Sequence, residues 1–461
     1  MPRVSWRLGF VISALCLGTF LVALDTTIIS VAVPSIATGY QAFDDVGWYG
    51  TAYLLTVTAF QPAFGSIFKI FNAKPAYLTS VLIFECALSI VGLTVSLEKR
   101  PLYLGVVLNV FGIAACLGPP LGGILTENTL TNQTNPSNLP IGGLSFVLIL
   151  TRIILIMASV CCLVLALHWG ASSLPWGSSR VIGLFIGAGL LPIAFVITQS
   201  RLKDRATDPL RVLRQRSIMM GALFSFFLEM SIYVTLYFIP FYFQSAQLVS
   251  PTTSGVRGIP LAVSQIAAVV ITGAIVSRTG HYAPFMVLGQ AVSNMGTALL
   301  TRLKVGTSTV LWATYLVVTG VGHGMGLQMP FLAVQVVLSD TDVPVGNAII
   351  DFISQLGAAI AIAIGQSALE TSLTRNVQMQ MGQSDFPVPA DTVIAAGPTG
   401  LQALANTPAM LRSLQDVYAG ALQSVMYFAL GTACVAVPFA LGMEWRNAKV
   451  EGAGSRGSGR G

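Results

Sequence analysis

The sequence contains few charged residues. Asp, Glu, Lys and Arg make up 9% of its 461 positions, whereas they make up roughly 25% of an ordinary soluble domain. Hydrophobic residues reach 54%. A soluble protein of this length needs charge on a large surface exposed to water, while the interior of a bilayer penalises charge. The composition therefore excludes an ordinary soluble protein and predicts a membrane protein.

Cofactor motifs are also missing. The six cysteines and three histidines do not show the spacing of a zinc or haem site. The nucleotide-binding loop Gly-x-x-x-x-Gly-Lys-Ser/Thr does not occur. We therefore expect no metal, no other cofactor, no enzyme activity and no ATP-driven pumping by this chain. The cysteines all lie in apolar stretches, where we expect buried free thiols: Cys16, Cys86, Cys116, Cys161, Cys162 and Cys434.

The net charge of +6 does not form a single basic patch. The Lys and Arg residues lie in short clusters between apolar runs, which argues against a nucleic-acid partner and indicates membrane orientation instead. The loop 201–216 alone holds six of them, so we expect it on the cytoplasmic side.

Apolar runs long enough to cross a bilayer need about 17–25 residues each. About twelve such runs occur: 8–33, 46–71, 75–93, 104–125, 139–167, 180–199, 217–243, 254–276, 282–302, 309–338, 345–369 and 417–443. The first run is too long for a signal peptide. These runs predict an all-α membrane protein.

Four parts follow from this count and from the basic loop. Residues 1–200 form an N-terminal transmembrane half with linker helices, 201–216 a cytoplasmic loop, and 217–443 a C-terminal half. The polar stretch 370–416 within the C-terminal half is predicted to be an external loop. A tail rich in Gly and Ser, 444–461, is predicted to be disordered and cytoplasmic.

Two motifs in the first half resemble those of a known family. Residues 24–34 read Leu-Asp-Thr-Thr-Ile-Ile-Ser-Val-Ala-Val-Pro, which places Asp25 inside the first helix. Residues 112–123 read Gly-Ile-Ala-Ala-Cys-Leu-Gly-Pro-Pro-Leu-Gly-Gly. Both resemble the fourteen-spanner drug/proton antiporters of the major facilitator superfamily, in particular fungal toxin and secondary-metabolite efflux pumps. The second motif resembles the antiporter motif of that family's fifth helix.

The resemblance implies a bundle of two helical halves that exports a small organic molecule in exchange for protons. It also implies a monomer in a lipid bilayer, expected in the plasma membrane, with a vacuolar or vesicle membrane as the alternative. Asp25 is the first candidate for the coupling carboxylate, since an acid removed from water inside a helix is suited to reversible protonation. The alternative role for Asp25 is a hydrogen bond to a neighbouring helix.

The residues of the antiporter motif allow close helix approach and bending. The small side chains permit contact between helices and the proline removes a backbone donor. Ordinary small-residue packing is the alternative explanation. The motif residues are Gly112, Gly118, Pro119, Gly122 and Gly123.

Two corresponding junctions, one in each half, are candidates for conformational loops. The first junction begins at Gly65 and keeps the basic Lys74, but Lys69 stands where relatives carry an Asp. The second junction begins at Gly273 and includes Arg278, with a helix breaker seven residues after the leading glycine. The pair suggests two related halves.

Further ionisable residues lie inside apolar helices. Each costs about 2.5 kcal/mol or more if it faces lipid, and somewhat less for Glu, so each should face the protein interior. Glu85 resembles a residue of the relatives and has a structural alternative, while Glu229 and Asp351 are candidates for the transport pathway. Arg152 is a fourth such residue.

Several uncharged residues are candidates for a substrate cavity. Gln328 and Gln335 lie seven residues apart and share one helical face, with interhelical contact as the alternative. Phe227 and Tyr233 belong to an aromatic run that suits a planar organic substrate, with lipid contact as the alternative. His323, within a glycine-rich segment, is expected to be a packed histidine with satisfied hydrogen bonds, with a proton carrier as the alternative.

The chain is shorter than the family pattern. A complete fourth helix with its Arg is absent near residue 97, and the tract 139–167 is too short to cross twice. The sequon at Asn132 is predicted to be glycosylated on the outer side if the family arrangement holds. The alternative function is a degenerate carrier that no longer transports and acts as a receptor or scaffold.

Overall fold

The protein was studied as a computed structural model. It describes residues 177–201, 209–339, 342–383 and 389–446, together with single residues between 155 and 170. Several predicted features of the first half lie outside the described residues: Asp25, Gly65, Lys74, Glu85, Asn132, Arg152 and the antiporter motif 112–123.

Helices make up most of the described chain. They are α1 (Ser179–Arg201), α2 (Pro209–Leu213), α3 (Arg216–Ser245), α4 (Pro251–Arg257), α5 (Ile259–Thr279), α6 (Ala283–Leu300), α7 (Thr309–Leu327), α8 (Met329–Val337), α9 (Val343–Gln383), α10 (Ala390–Ala396), α11 (Leu401–Leu404) and α12 (Pro408–Leu441).

The six spans predicted for residues 217–443 are all helical. Five described stretches are long and apolar enough to cross a membrane: Arg216–Ser245, Thr253–Val276, Thr309–Val337, Val345–Gln380 and Pro408–Leu441. The remaining span is α6, which carries the polar residues Gln290 and Asn294. Gln290 donates to the carbonyl of Ala433 over 2.7 Å, so these polar groups join α6 to α12.

Two helices extend beyond the apolar spans predicted for them. The helix α9 does not end at residue 369 but continues to Gln383, and α12 begins at Pro408 instead of residue 417. At 41 residues, α9 is about 60 Å long, twice the thickness of the hydrocarbon core. The stretch 370–416 is therefore largely helical. Its short helices pack onto the long ones, and Tyr418 donates to the carbonyl of Val393.

The two ends of the bundle are defined by their contacts. At the proximal end, Arg211 pairs with Asp342 over 2.6 Å and Arg216 donates to the carbonyl of Gly442. At the distal end, Tyr242 donates to the carbonyl of Lys304 over 2.9 Å. The loop 201–216, predicted to be cytoplasmic, adjoins the proximal end.

The helix α1 lies at the periphery of the described structure. The hydroxyl of Ser159 donates to the carbonyl of Ala188, so Ser159 packs against α1. Large apolar side chains of α1 are exposed on several sides, as in a helix surrounded by lipid: Ile182, Phe185, Ile186, Leu190, Ile193 and Ile197.

The glycine-rich part of α7 is explained by helix packing. Gly322 and Gly326 lie against Ser293 and Gly289 of α6, while Gly320 and Gly324 lie against α5. A Cβ atom at Gly320, Gly322 or Gly324 would overlap with neighbouring atoms, and one at Gly326 would be in tight contact with the ring of Phe224 at 3.1 Å. Such stripes of small residues let helix backbones approach closely inside a membrane.

The expectation that the cysteines are buried is only partly correct. Cys161 and Cys162 are half-buried free thiols, and Cys434 is exposed on α12. An exposed apolar thiol on a spanning helix is compatible with a surface that contacts lipid.

Candidate functional site

The candidate site lies between α3 and α9. We call this site the acidic seam, because α3 carries Glu229 and α9 carries Asp351 on it. Gly221 lies against Ile350, Gly357 against the backbone of Phe226, and Gly365 against the ring of Phe238. The residue numbers of the three pairs differ by a nearly constant amount. The two helices therefore run parallel with a fixed register.

Glu229 of α3 and Asp351 of α9 both lie in the acidic seam. Both residues are half-buried, and negative charges on their two carboxyl groups would repel each other. In this register Glu229 is level with Ala358, about two turns or roughly 10 Å along the axis from Asp351. Because helical side chains lean toward the N-terminus, that of Glu229 extends toward Asp351. Two of the predicted transport residues thus share one site.

Two amide side chains extend the seam along α9. Asn347 and Gln355 lie four residues before and after Asp351, so all three share one helical face. Their Oδ1 and Oε1 atoms are buried and have no hydrogen-bond partner within the part of the chain that the structure describes. The seam therefore offers carboxyl and amide oxygens to a ligand that donates hydrogen bonds.

Aromatic rings flank Glu229 on α3. Phe226 and Tyr233 lie three residues before and four after Glu229, on the same face, and both are half-buried. Phe227 instead points toward α12, where its ring stacks on Phe439 with centroids 5.6 Å apart. Of the two aromatic residues predicted for the cavity, Tyr233 shares the face of Glu229 and Phe227 does not.

The two predicted glutamines are both exposed. Gln328 is exposed at the junction between α7 and α8, and Gln335 is exposed on α8. The structure places both at the surface of the described helices.

The second predicted junction lies at the proximal end of α5. Gly273 and Arg278 are both exposed there. The helix ends at Gly280, whose φ of 81° is in the left-handed region that favours glycine. The helix breaker expected seven residues after Gly273 is thereby confirmed.

His323 differs from expectation. It is 1% exposed, but its Nε2 atom has no hydrogen-bond partner among the described residues. The expectation of a packed histidine is met, but the hydrogen bond expected at Nε2 is not found among the described residues.

Sequence reasoning missed the amides of the seam. Asn347 and Gln355 sit at a four-residue spacing around Asp351, which places polar groups on one face of an apolar helix. That spacing could have identified both amides as part of the candidate site.

Comparison with known proteins gives consistent matches. A model of the Major Facilitator Superfamily matches residues 86–362. The chain is 32% identical over 500 residues to the efflux pump aflT of Aspergillus parasiticus, covering 96% of each protein. It is 33% identical to the MFS-type transporter astH of Aspergillus oryzae, covering 96% of this chain and 88% of the relative.

The alignment with the aflT pump is longer than this chain of 461 residues. The relative therefore contains segments that are missing here, which confirms the predicted shortening.

A solved structure shares the fold. It is a bacterial homolog of the human lysosomal transporter Spinster, in an inward-facing and unoccupied conformation. The TM-score is 0.57 at 15% identity, over 95% of this chain and 97% of the other. The predicted all-α fold of the major facilitator type is confirmed.

Proposed function

This chain belongs to the major facilitator superfamily, and from that membership we propose that it exports small organic molecules across a membrane in exchange for protons. Relatives at 32–33% identity over nearly the whole chain are named as efflux pumps, which supports the direction of transport. We place the protein in the plasma membrane as a monomer.

The proposal of proton exchange rests mainly on the pair of carboxyl groups in the acidic seam. Glu229 and Asp351 are embedded in spanning helices and interact electrostatically. Ionised acids are costly in a membrane, so a retained pair favours a functional role. Binding one proton lowers the repulsion between the two groups and removes a charge from the seam. Protonation can therefore favour one transport conformation over another.

Asp25 and Glu85 complete the proposed set of coupling carboxylates. Both belong to the first half of the chain, and Asp25 lies in the family-like motif of the first helix. In alternating access, the two halves open the central cavity to each side of the membrane in turn. The antiporter motif and the junctions at Gly65 and Gly273 are the proposed points of movement.

The proposed substrate is a planar organic molecule with hydrogen-bond donors. Phe226 and Tyr233 supply aromatic surface beside Glu229, while Asn347 and Gln355 supply amide oxygens. Such a mixture of apolar walls and a few polar groups is typical of small-molecule sites. Gln328 and Gln335 are further candidates for substrate contact.

Transport by the purified protein in liposomes tests this function. Ethidium, a fluorescent planar organic cation, serves as the probe. The proton gradient is set so that protons flow in the direction opposite to dye export, and the natural protein should then export the dye. Three variants should each reduce this gradient-driven export at least about tenfold: Asp25→Asn, Glu229→Gln and Asp351→Asn. Asp416→Asn, an exposed acid on α12, is the matched control and should be unaffected.

Two results would contradict the proposal. Equal export with and without the gradient would reject proton exchange. Binding of the dye with no movement across the membrane would favour the alternative of a receptor or scaffold derived from a carrier.

A further inference from the structure

One face of α3 and one face of α7 oppose each other inside the C-terminal helices. On α3 this face carries Phe224, Leu228, Ser231 and Thr235 at spacings of four, three and four residues. Such spacings keep side chains on one side of a helix. On α7 the matching stripe is Trp312, Leu316, Thr319, His323 and Gly326.

Contacts near both ends fix the register of the two helices. At the proximal side, Gly326 lies against the side chains of Phe224 and Leu228. At the distal side, the ring of Trp312 packs on that of Phe243 with centroids 4.9 Å apart. The helices are therefore antiparallel, and His323 lies at the level of Ser231.

The middle of this interface is polar although it is completely buried. Ser231 and Thr235 are 0% exposed and His323 is 1% exposed. Among the described residues, Ser231 Oγ, Thr235 Oγ1 and His323 Nε2 have no hydrogen-bond partner. The same holds for the hydroxyl of Ser293, whose backbone lies against Gly322.

Unpartnered polar atoms are unfavourable in this location. Each costs about 1–3 kcal/mol, and lipid tails offer no hydrogen bonds in compensation. Buried groups of this kind are normally satisfied by bound water, which needs several polar partners in one place. The register places the imidazole of His323 level with Ser231 and about one helical turn from Thr235, so these three groups are suited to share such water.

The described helices around the cluster bring almost no charge to it. Among the described residues, α6 and α8 carry no ionisable side chain, and α5 carries only Arg278 at its proximal end. Glu229 lies two residues from Ser231, but about 200° around α3, on the face toward α9. The imidazole and the acidic seam are thus at the same depth on opposite sides of α3.

We propose that Ser231, Thr235 and His323 form a hydrated proton site, in which Nε2 of His323 binds a proton exchanged for substrate. This inference rests on the proton exchange proposed above. The neutral ring carries its hydrogen on Nδ1 and keeps a lone pair on Nε2. When a hydronium ion in the site gives up a proton, an O–H bond breaks and an N–H bond forms on Nε2. Release to water reverses the step, and no electrons or other reactants are involved.

Two liposome assays with the full chain test the site. The first measures ethidium export driven by a proton gradient, and the second measures exchange of ethidium at equal pH on both sides. In His323→Gln, gradient-driven export should fall at least about tenfold, while exchange stays within about twofold of the natural protein. His281→Gln changes an exposed histidine and should affect neither assay.

The hydroxyl variants keep the test valid if His323→Gln does not fold. Ser231→Ala and Thr235→Val should reduce driven export by about threefold or more without loss of exchange. Ser245→Ala is the control, because the hydroxyl of Ser245 is buried but already donates to the carbonyl of Phe241.

Each outcome has a defined meaning. The inference is overturned if gradient-driven export by His323→Gln stays within twofold of that of the natural protein. It is also overturned if Ser231→Ala and Thr235→Val lose driven export and exchange to the same extent, because such a loss reflects packing alone. If the natural protein ignores the gradient, the proposed proton exchange itself fails.

Discussion

The ring of Phe243, near the distal end of α3, packs edge-on against the ring of Trp312 at the start of α7. Arg257 of α4 lies over both rings, 5.6 and 5.5 Å from their centroids. Its guanidinium also donates to Gln247. This one cation joins three helices at the distal end.

Replacement of Arg257 by Ala should destabilise the protein by about 1–2 kcal/mol, because it removes two cation–π contacts and one hydrogen bond. Thermal unfolding in detergent, followed by tryptophan fluorescence, measures the change. The matched control is Arg412→Ala, since the pair that Arg412 makes with Asp416 at 3.9 Å is exposed. Equal effects of the two substitutions would show that the ring contacts do not contribute.

Replacement of Gly322 by Leu should disrupt the contact between α6 and α7. Its side chain would overlap the backbone of Ser293, and overpacking of this kind costs about 1–3 kcal/mol. The yield of monodisperse protein in size-exclusion chromatography should fall, together with the melting temperature. Gly273→Leu adds the same side chain at an exposed position with nothing within 4 Å, so it should fold normally. Normal folding of both variants would contradict the packing described for α7.

The ion pair between Arg211 and Asp342 should contribute little to stability. Its N–O distance is 2.6 Å, but the Arg211 side chain is 63% exposed, and exposed pairs contribute about 0.5 kcal/mol. A double-mutant cycle with Arg211→Ala and Asp342→Ala measures this coupling by thermal unfolding, and high salt should weaken it. A coupling well above 1 kcal/mol would instead mean that the pair is effectively shielded from water.

The positions of the spanning helices were predictable because hydrophobic run length determines them directly. The ends of these helices were less predictable than their positions. The helix α9 passes through Glu370 and Arg375, which are polar but compatible with a helix, so hydropathy stops before the helix does. The start of α12 did have a signal: Thr407 accepts a hydrogen bond from the amide of Met410, and Pro408 occupies the first helical turn.

Glu229 and Asp351 could be selected singly, because an acid inside an apolar run stands out in any sequence. Their pairing depends on the register between α3 and α9, which is set by Gly221, Gly357 and Gly365. Those contacts join residues more than a hundred positions apart, and a single sequence does not contain them. For the same reason, the unpartnered nitrogen of His323 was not predictable from its glycine-rich neighbours.

The peripheral position of α1 has an evolutionary consequence. Its side chains do not belong to the hydrophobic clusters that hold α3, α9 and α12 together, and its exposed apolar face is compatible with lipid. A helix attached in this way can be duplicated, shortened or deleted in a gene without repacking the seam. Among the described residues, a change in the number of such peripheral helices would leave the contacts between α3 and α9 unchanged.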